Sequence, residues 1–261
     1  MNTWQAFLLG LVQGFTEFLP VSSSGHLALG QYLLGFNELH HFLLFNIVCH
    51  LGTLFAILLI FLPQIKESLS IKSELFRNIC LGTLPLFPLV FIIKPLKEIL
   101  SKPEILGPCF IITSALLFIS FYFRIPSQFS NTQKSWRDPL TIGCFQAIAI
   151  FPGISRSGAT VSAARLLSWP KEKALQFSFI LAIPAILGGT ILESWQVIKA
   201  GSSIHTLEIS WTIYAIGFLT SLISGYFALR LLIRMMIHDK WNYFAWYCLI
   251  LGVMTTIYFN Y

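Results

Sequence analysis

Residues 13–26, with the sequence QGFTEFLPVSSSGH, concentrate side chains that can do chemistry in an otherwise apolar chain. Five of them fall within ten positions: Glu17, Ser22, Ser23, Ser24 and His26. An ionisable group at bilayer depth costs roughly 2.5–3.5 kcal/mol on insertion scales, so it usually faces a cavity and serves catalysis or transport. Pro20 and Gly25 bracket the serines and break any continuous helix, which exposes backbone N–H groups beside the hydroxyls. The segment is therefore a candidate pocket for an anion.

The chemistry open to these groups is phosphate binding or phosphoryl transfer. Glu17 can bind Mg²⁺ or Ca²⁺ through oxygen, or act as a general base. Ser23 is a candidate nucleophile or phosphate donor, and His26, three residues later, can accept its proton or protonate a leaving phosphate. The alternative is a helix–helix hydrogen bond, the commoner role of a lone His or Ser in a membrane helix. His50 and Thr53, in the next apolar segment, are interpreted as packing or supporting groups.

A second broken segment, FPGISRSGAT at 151–160, places Arg156 between two serines. A guanidinium with flanking hydroxyls and freed backbone donors suits phosphate oxygens, which it holds by charge-assisted and often bidentate hydrogen bonds. The predicted phosphate-binding residues are Ser22, Ser24, Ser155, Arg156 and Ser157. The alternative is an ion pair between Arg156 and Glu17 that serves stability alone, although a buried pair contributes little to stability.

The composition of the whole chain indicates the class of protein to which these two segments belong. Of 261 residues, 56% are hydrophobic and 11% are charged, and the mean hydropathy is +0.74, which indicates an all-α polytopic membrane protein. The net charge of +6 comes from basic residues scattered through short connecting segments, so it does not indicate nucleic-acid binding. Five cysteines without a CxxC pair are interpreted as buried free thiols rather than disulfides or a zinc site.

Six segments are long and apolar enough to cross a bilayer: 41–62, 75–97, 104–124, 174–194, 209–231 and 241–259. The two segments with polar motifs are too interrupted to do so. Residues 3–36 are broken at Pro20 and residues 139–169 at Pro152, so each is predicted to form a re-entrant helix–loop–helix hairpin. The sequence therefore predicts six transmembrane helices and two hairpins in one integral-membrane domain, residues 1–261.

The two broken segments resemble each other at an offset of 133 residues. The matched pairs are Gln13 and Gln146, Phe18 and Phe151, Ser22 and Ser155, Ser24 and Ser157, and Gly25 and Gly158. Chance similarity of two Ser- and Gly-containing loops is the alternative. A repeat of 1–124 and 139–261, joined by the polar linker 125–138, gives each half one hairpin and three spans. Because three is odd, the second half lies inverted in the membrane and the hairpins enter from opposite faces.

The distribution of basic residues sets the orientation. With the amino terminus outside, twelve fall on the cytoplasmic side: Lys66, Lys72, Arg77, Arg124, Lys134, Arg137, Arg165, Lys171, Lys173, Arg230, Arg234 and Lys240. Four remain outside: Lys94, Lys97, Lys102 and Lys199. This positive-inside bias predicts that both termini lie outside a plasma membrane, or an inner membrane where there are two, and that the catalytic pocket opens outward.

The motif EFLPVSSSGH after Gln13, together with PGISRSGAT in the second half, resembles the undecaprenyl-diphosphatase family, the bacitracin-resistance type of lipid phosphatase. The resemblance covers essentially the whole chain. It implies that Glu17, Ser23, His26 and Arg156 are catalytic and that activity depends on a divalent cation, Mg²⁺ or Ca²⁺. The family pattern is Glu or Gln, three residues, then Glu, which places Gln13 with Glu17 at the metal. Because Gln13 is the amide variant, two carboxylates within this motif are not expected here.

The resemblance implies removal of one phosphate from undecaprenyl diphosphate, which returns the carrier lipid for peptidoglycan synthesis and confers bacitracin resistance. The expected partners are the polyprenyl diphosphate substrate and membrane lipids, not nucleic acid, and the choice between monomer and homodimer stays open. The alternative function is a polyprenyl-phosphate or anion carrier or flippase, because inverted repeats with broken helices are also the transporter pattern. A carrier has no need of a cluster of Ser23, His26 and Glu17. Another lipid-phosphatase superfamily with an SGH element is disfavoured, because no His or Asp follows Arg156 within twelve residues.

Overall fold

The computed structural model describes residues 1–36, 42–68, 73–89, 91–92, 102–123, 135–200 and 210–260. Its longer helices in chain order are α1 Thr3–Phe18, α2 Ser23–Leu33, α3 Leu43–Ser68, α4 Glu74–Thr83, α5 Leu106–Tyr122, α6 Arg137–Ile148, α7 Arg156–Leu166, α8 Lys171–Ala200, α9 Trp211–Ile237 and α10 Asn242–Asn260. Every regular element in these ranges is a helix. The prediction of an all-α protein is confirmed for the described part of the chain.

The first predicted break separates α1 from α2. α1 ends because Leu19 is extended, with φ −60° and ψ 141°, which is the conformation favoured by a residue before proline. Ser22 then caps α2 with a backbone φ of 71°, and its Oγ accepts a hydrogen bond from the N–H of Gly25 at 3.4 Å. The two helices pack against each other, for example at Leu9 and Gly30.

The second break, between α6 and α7, has the same kind of side-chain cap. Gly153 turns the chain with a φ of 98°, and Ser155 caps α7 by accepting a hydrogen bond from the N–H of Gly158 at 3.1 Å. The same pair of residue types, Ser22 and Gly25, forms the cap of α2. The cap therefore recurs at the offset of 133 residues found in the sequence.

Five helices in the described ranges are long and apolar enough to cross a membrane: Leu43–Lys66, Pro103–Tyr122, Lys171–Trp195, Trp211–Ile237 and Asn242–Phe259. They match five of the six predicted spans. The prediction of a sixth, 75–97, is not confirmed, because α4 ends at Thr83 and a 3₁₀ turn, Leu84–Leu86, follows. Pro85 and Pro88 explain the interruption, since proline lacks the N–H of an α-helix and clashes with the preceding turn. Part of this segment, at 90 and 93–97, lies outside the described ranges.

Small residues allow the helices to approach closely, as is common in membrane proteins. Gly10 of α1 packs against Thr220 of α9, and Gly143 of α6 packs against Gly82 of α4, with no room for a Cβ at either glycine. Gly10 and Gly143 are themselves 133 residues apart. α1 thus pairs with α9 as α6 pairs with α4, and the pairs α3–α8 and α5–α10 likewise join the two halves of the chain.

Some of the sequence predictions fall outside the described ranges. The linker predicted at 125–138 is described only from residue 135. Five of the basic residues that indicate the orientation also lie outside: Lys72, Lys94, Lys97, Arg124 and Lys134.

The five cysteines are all described, and all are free. Cys49, Cys109 and Cys248 are buried, as predicted. The prediction of burial is wrong for Cys80 and Cys144, which lie on faces of α4 and α6 that the rest of the described chain leaves exposed.

Candidate active site

Glu17, Ser23 and Arg156, three of the four predicted catalytic residues, meet in one cluster. Glu17 lies in the last turn of α1, Ser23 is the first residue of α2, and Arg156 is the first residue of α7. Ser23 Oγ donates a hydrogen bond to Glu17 Oε2 at 2.6 Å, and Arg156 Nη2 donates to Glu17 Oε1 at 2.6 Å. Glu17 is buried. A carboxylate in this position can take a proton from the serine while it holds the guanidinium in place.

Gln13 and His50 complete the described surroundings of the Glu17 carboxylate. Gln13 lies one helical turn before Glu17, and its Nε2 donates to Glu17 Oε2 at 2.9 Å. The same Nε2 is 2.8 Å from Nδ1 of His50, which is 3.5 Å from Glu17 Oε2. Thr53 is buried in α3 and donates to the backbone carbonyl of His50 at 2.9 Å. His50 therefore belongs to the site, and Thr53 supports the helix that carries it.

This cluster faces a cavity of about 200 Å³ between the two breaks, α3 and α8. The lining residues are Glu17, Ser22, Ser23, Ser24, His50, Ala149, Ile154, Ser155, Arg156, Ala185, Ile186, Gly189, Thr190 and Glu193. Four of the five predicted phosphate-binding residues are among them. The fifth, Ser157, is buried beside the cavity, with its Oγ 3.3 Å from the Leu19 carbonyl and 3.2 Å from Ser155 Oγ.

The N-termini of two helices, α2 and α7, reach the cavity through Ser23 and Arg156. A helix N-terminus carries partial positive charge and N–H donors without partners in the helix, and both favour a bound anion. Two helix N-termini and one guanidinium therefore converge on the same space. This is the electrostatic arrangement expected for a phosphate group.

A short hydrogen-bond network ties the two breaks together. Ser22 Oγ accepts a hydrogen bond from the N–H of Gly153 at 3.0 Å. Thr113 of α5 donates to the Gly153 carbonyl at 2.8 Å and accepts from the N–H of Ser155 at 3.0 Å. Sequence analysis did not identify Thr113, because a single threonine in an apolar span carries no local signal of its partner.

His26, the fourth predicted catalytic residue, is not part of the cavity wall. Its Nδ1 lies 2.7 Å from the Ser22 carbonyl oxygen, and its Nε2 lies 2.7 Å from Oη of Tyr247 on α10. The structure therefore brings His26 to the break but gives Ser23 a different hydrogen-bond partner, Glu17. Tyr247 is 221 residues away in the chain, and nothing in its local sequence indicates this contact.

Glu193 on α8 is a second carboxylate in the cavity wall that sequence analysis did not single out. It is the sole Asp or Glu in the predicted span 174–194. The argument that drew attention to Glu17 applies to it equally, since an ionisable group in a membrane span usually faces a cavity.

The oxygen donors around Glu17 fit the hard cation that the family resemblance implies. Gln13 Oε1 is buried and has no hydrogen-bond partner among the described residues, which leaves an amide oxygen beside the carboxylate for a ligand. The described residues contain no ready group of three His, Cys, Asp or Glu ligands. Mg²⁺ is usually held by one or two carboxylates together with substrate phosphates, so a diphosphate would supply the remaining ligands.

The fold and the site define a helical membrane protein with a serine, carboxylate and arginine cluster at the junction of two broken helices. The chain matches the family described as BacA, bacitracin resistance protein BacA, over residues 6–254. It belongs to this family, and the resemblance seen in the two motifs is confirmed.

Named relatives agree with this grouping. The undecaprenyl-diphosphatase of Protochlamydia amoebophila (strain UWE25) is 58% identical over 261 residues, which cover all of both chains. The undecaprenyl-diphosphatase of Carboxydothermus hydrogenoformans is 38% identical over 256 residues, 97% of this chain and 96% of the relative. The one from Bacteroides fragilis (strain YCH46) is 37% identical over 270 residues, 98% of each chain.

Proposed function

We propose that this protein is a plasma-membrane phosphatase that converts undecaprenyl diphosphate to undecaprenyl phosphate and inorganic phosphate, and so recycles the carrier lipid for peptidoglycan synthesis. The names of the full-length relatives support the substrate, and the family name supports a link to bacitracin resistance. The observation that carries the proposal is the convergence of Ser23 and Arg156 on Glu17 at the wall of a cavity. The base, Glu17, is thereby in hydrogen-bond contact with both the nucleophile, Ser23, and a phosphate-binding guanidinium, that of Arg156.

Arg156 binds the terminal phosphate with the half of its guanidinium that Glu17 does not use. Nη2 is bonded to Glu17, whereas Nη1 is buried and has no hydrogen-bond partner in the described part of the chain. A buried donor left without a partner is costly, so it indicates a ligand that supplies the acceptor. Ser24 and Ser155, which also line the cavity, add hydroxyl groups around the same phosphate.

The reaction proceeds in two displacements at phosphorus. Ser23 Oγ attacks the terminal phosphorus, its proton passes to Glu17 Oε2, and the bond to the bridging oxygen breaks. Undecaprenyl phosphate leaves with the bonding electrons and takes the proton from Glu17. A water molecule then attacks the phosphoserine and gives a proton to Glu17, which returns it to Ser23 Oγ as the second P–O bond breaks and inorganic phosphate forms.

Glu17, with Gln13 Oε1, would hold Mg²⁺ or Ca²⁺ at this site. When bound, the cation neutralises part of the phosphate charge and so reduces the electrostatic repulsion between the diphosphate and the Glu17 carboxylate.

The two helix–break–helix pairs are, in this proposal, re-entrant hairpins of an inverted repeat that enter the membrane from opposite faces. The recurrence of the Ser22 and Ser155 caps and of the Gly10 and Gly143 contacts at one offset supports the repeat. The distribution of basic residues supports a cavity that opens outward, with both termini outside.

A cysteine-labelling experiment on α9 tests the orientation. In a variant without the exposed Cys80 and Cys144, we expect Thr212→Cys to react in intact cells with a thiol reagent that does not cross the membrane. His238→Cys, just after the other end of the helix, is expected to react only after the cells are permeabilised. The reverse pattern would show that the termini are cytoplasmic.

Release of inorganic phosphate from undecaprenyl diphosphate by purified protein, with Mg²⁺ or Ca²⁺, tests the function itself. A hydrolase releases phosphate in detergent, where there is no membrane to cross. A carrier or flippase, the alternative class, would release none in detergent and would move the labelled lipid between the leaflets of a vesicle.

Two adjacent glycines of α8 provide a test of the cavity as the substrate site. Gly189 lines the cavity and Gly188 does not, while an added Cβ would meet open space at both positions. Leucine favours a helix more than glycine, so neither Gly→Leu change should weaken α8. We expect Gly189→Leu to lower kcat/KM by about tenfold or more and Gly188→Leu by less than about twofold. Equal effects at the two positions would place the substrate elsewhere.

A further inference from the structure

His26 lies between a backbone carbonyl and a tyrosine hydroxyl. Its Nδ1 is 2.7 Å from the Ser22 carbonyl oxygen, and its Nε2 is 2.7 Å from Tyr247 Oη. Because a carbonyl oxygen can only accept a hydrogen bond, Nδ1 carries a proton. In a neutral imidazole the other nitrogen is then an acceptor, so the Tyr247 hydroxyl donates to Nε2. Both ring nitrogens are therefore engaged, while Ser23 donates to Glu17.

Aromatic contacts fix the plane of the same ring. The Tyr247 ring stacks on His26 with centroids 5.7 Å apart and an interplanar angle of 11°. Phe110 meets it edge-on, at 5.2 Å and 75°. A ring that moved to exchange a proton with Ser23 would have to give up both hydrogen bonds and this stacking. The contacts therefore favour a fixed imidazole over one that transfers protons.

The imidazole of His26 is hydrogen-bonded to Ser22, a residue whose backbone conformation is strained. Ser22 has a φ of 71°, which a residue other than glycine adopts rarely and keeps only where its surroundings hold it. Its carbonyl accepts two hydrogen bonds from His26, one from the backbone N–H at 3.1 Å and one from Nδ1. Ser23 is the next residue, so the Ser22 backbone sets the direction in which Ser23 Oγ points.

We propose that Tyr247 is a positioning residue. Its hydroxyl holds His26 in the tautomer with the proton on Nδ1, and that proton anchors the Ser22 carbonyl so that Ser23 Oγ points at Glu17. His26 then acts through the backbone and not as the acceptor of the serine proton. The consequence for turnover rests on the proposed phosphatase function, whereas the tautomer does not.

Two amide substitutions at His26 separate anchoring from proton transfer. An asparagine amide nitrogen lies near the position of Nδ1, and a glutamine amide nitrogen lies near that of Nε2. We expect His26→Asn to keep phosphate release within about tenfold of the unmodified protein and His26→Gln to lose about a hundredfold. Neither amide titrates, so a proton-transfer role predicts that both variants lose activity to the same extent.

The tautomer can be read directly, without an activity assay. In protein labelled with ¹⁵N-histidine, we expect the His26 signal to show a protonated Nδ1 and an unprotonated Nε2, assigned by its loss in His26→Asn. Tyr247→Phe keeps the stacked ring but removes the hydroxyl, so it should shift His26 toward the other tautomer and lower phosphate release by about tenfold. Tyr258→Phe, an exposed tyrosine on the same helix, is the matched control and should change neither.

The readouts distinguish this proposal from the proposed function. An unprotonated Nδ1 in the unmodified protein, or an unchanged spectrum in Tyr247→Phe, would overturn the positioning role even if phosphate is released. The expected tautomer shift in a protein that releases no phosphate from undecaprenyl diphosphate would uphold the contact and reject the phosphatase.

Discussion

Replacement of Ser23 by alanine is expected to lower kcat by about a thousandfold or more, with KM little changed. The Ser23 hydroxyl contacts the buried Glu17 carboxylate at 2.6 Å and is the nucleophile of the proposed mechanism. Its removal leaves the phosphate-binding groups of the cavity in place but abolishes the covalent step. A thousandfold loss of rate corresponds to an activation free energy that is higher by about 4 kcal/mol. Phosphate release from undecaprenyl diphosphate by the purified variant measures the effect.

The neighbouring serine and the paired carboxylate provide the controls for this prediction. Ser24 lines the cavity on the same helix, and we expect Ser24→Ala to lose about tenfold or less, because it removes one hydroxyl from the phosphate site. The double variant of Ser23→Ala and Glu17→Gln should lose less than the product of the two single losses, since the serine and its base act as one unit. Retention of more than about a tenth of the rate in Ser23→Ala, a loss below roughly 1.4 kcal/mol, would instead indicate direct attack by water.

The local features of the site could be predicted from the sequence because they depend on neighbouring residues. Pro20 disfavours a helical conformation of Leu19, so the end of α1 follows from two adjacent residues. Ser22 and Ser155, each three residues before a glycine, both form N-caps. The clustering of Glu17 and Ser23 in a short apolar segment likewise indicated their shared cavity.

The contacts between distant segments could not be predicted in this way. Three histidine and tyrosine positions illustrate the limit: His50 lies on α3, His26 on α2 and Tyr247 on α10. Proximity in sequence paired His26 with Ser23, but the structure turns the His26 ring toward Tyr247 and places His50 beside Glu17. Which face of a helix meets which neighbour depends on how several helices pack, and hydropathy contains no information on that choice.

The predicted span 75–97 shows a second limit: the average composition of a segment does not reveal where a helix within it ends. Its hydropathy is sufficient for a membrane helix, and length alone does not reveal where the helix stops. Pro85 follows Thr83 closely, and α4 ends there. Proline positions inside an apolar segment therefore carry information that a window average removes.

Arg156→Lys is expected to lower kcat/KM by about a hundredfold, close to 3 kcal/mol, although the positive charge is kept. The guanidinium uses Nη2 to hold Glu17 Oε1 at 2.6 Å, and its buried Nη1 has no partner among the described residues. Lysine has a single nitrogen at the end of its side chain, so it cannot hold the carboxylate and the phosphate with two coplanar donors. Lysine is also a better test than alanine, because alanine would leave the buried Glu17 carboxylate unpaired and destabilise the fold by about 3–5 kcal/mol.

Arg165→Lys on the same helix is the matched control for this change. Arg165 Nη1 donates to the Trp169 carbonyl at 2.6 Å, and Arg165 does not line the cavity, so its replacement should alter kcat/KM by less than about threefold. Thermal unfolding of both variants separates loss of fold from loss of phosphate binding. If Arg156 served only as a counter-ion to Glu17, the lysine would keep that pair and the variant would turn over undecaprenyl diphosphate at nearly the unmodified rate. Such a result would remove Arg156 from the phosphate site. A hundredfold loss in a stably folded Arg156→Lys variant would instead show that the guanidinium contacts Glu17 and the phosphate with different nitrogens of one plane, as the absence of a partner for Nη1 among the described residues indicates.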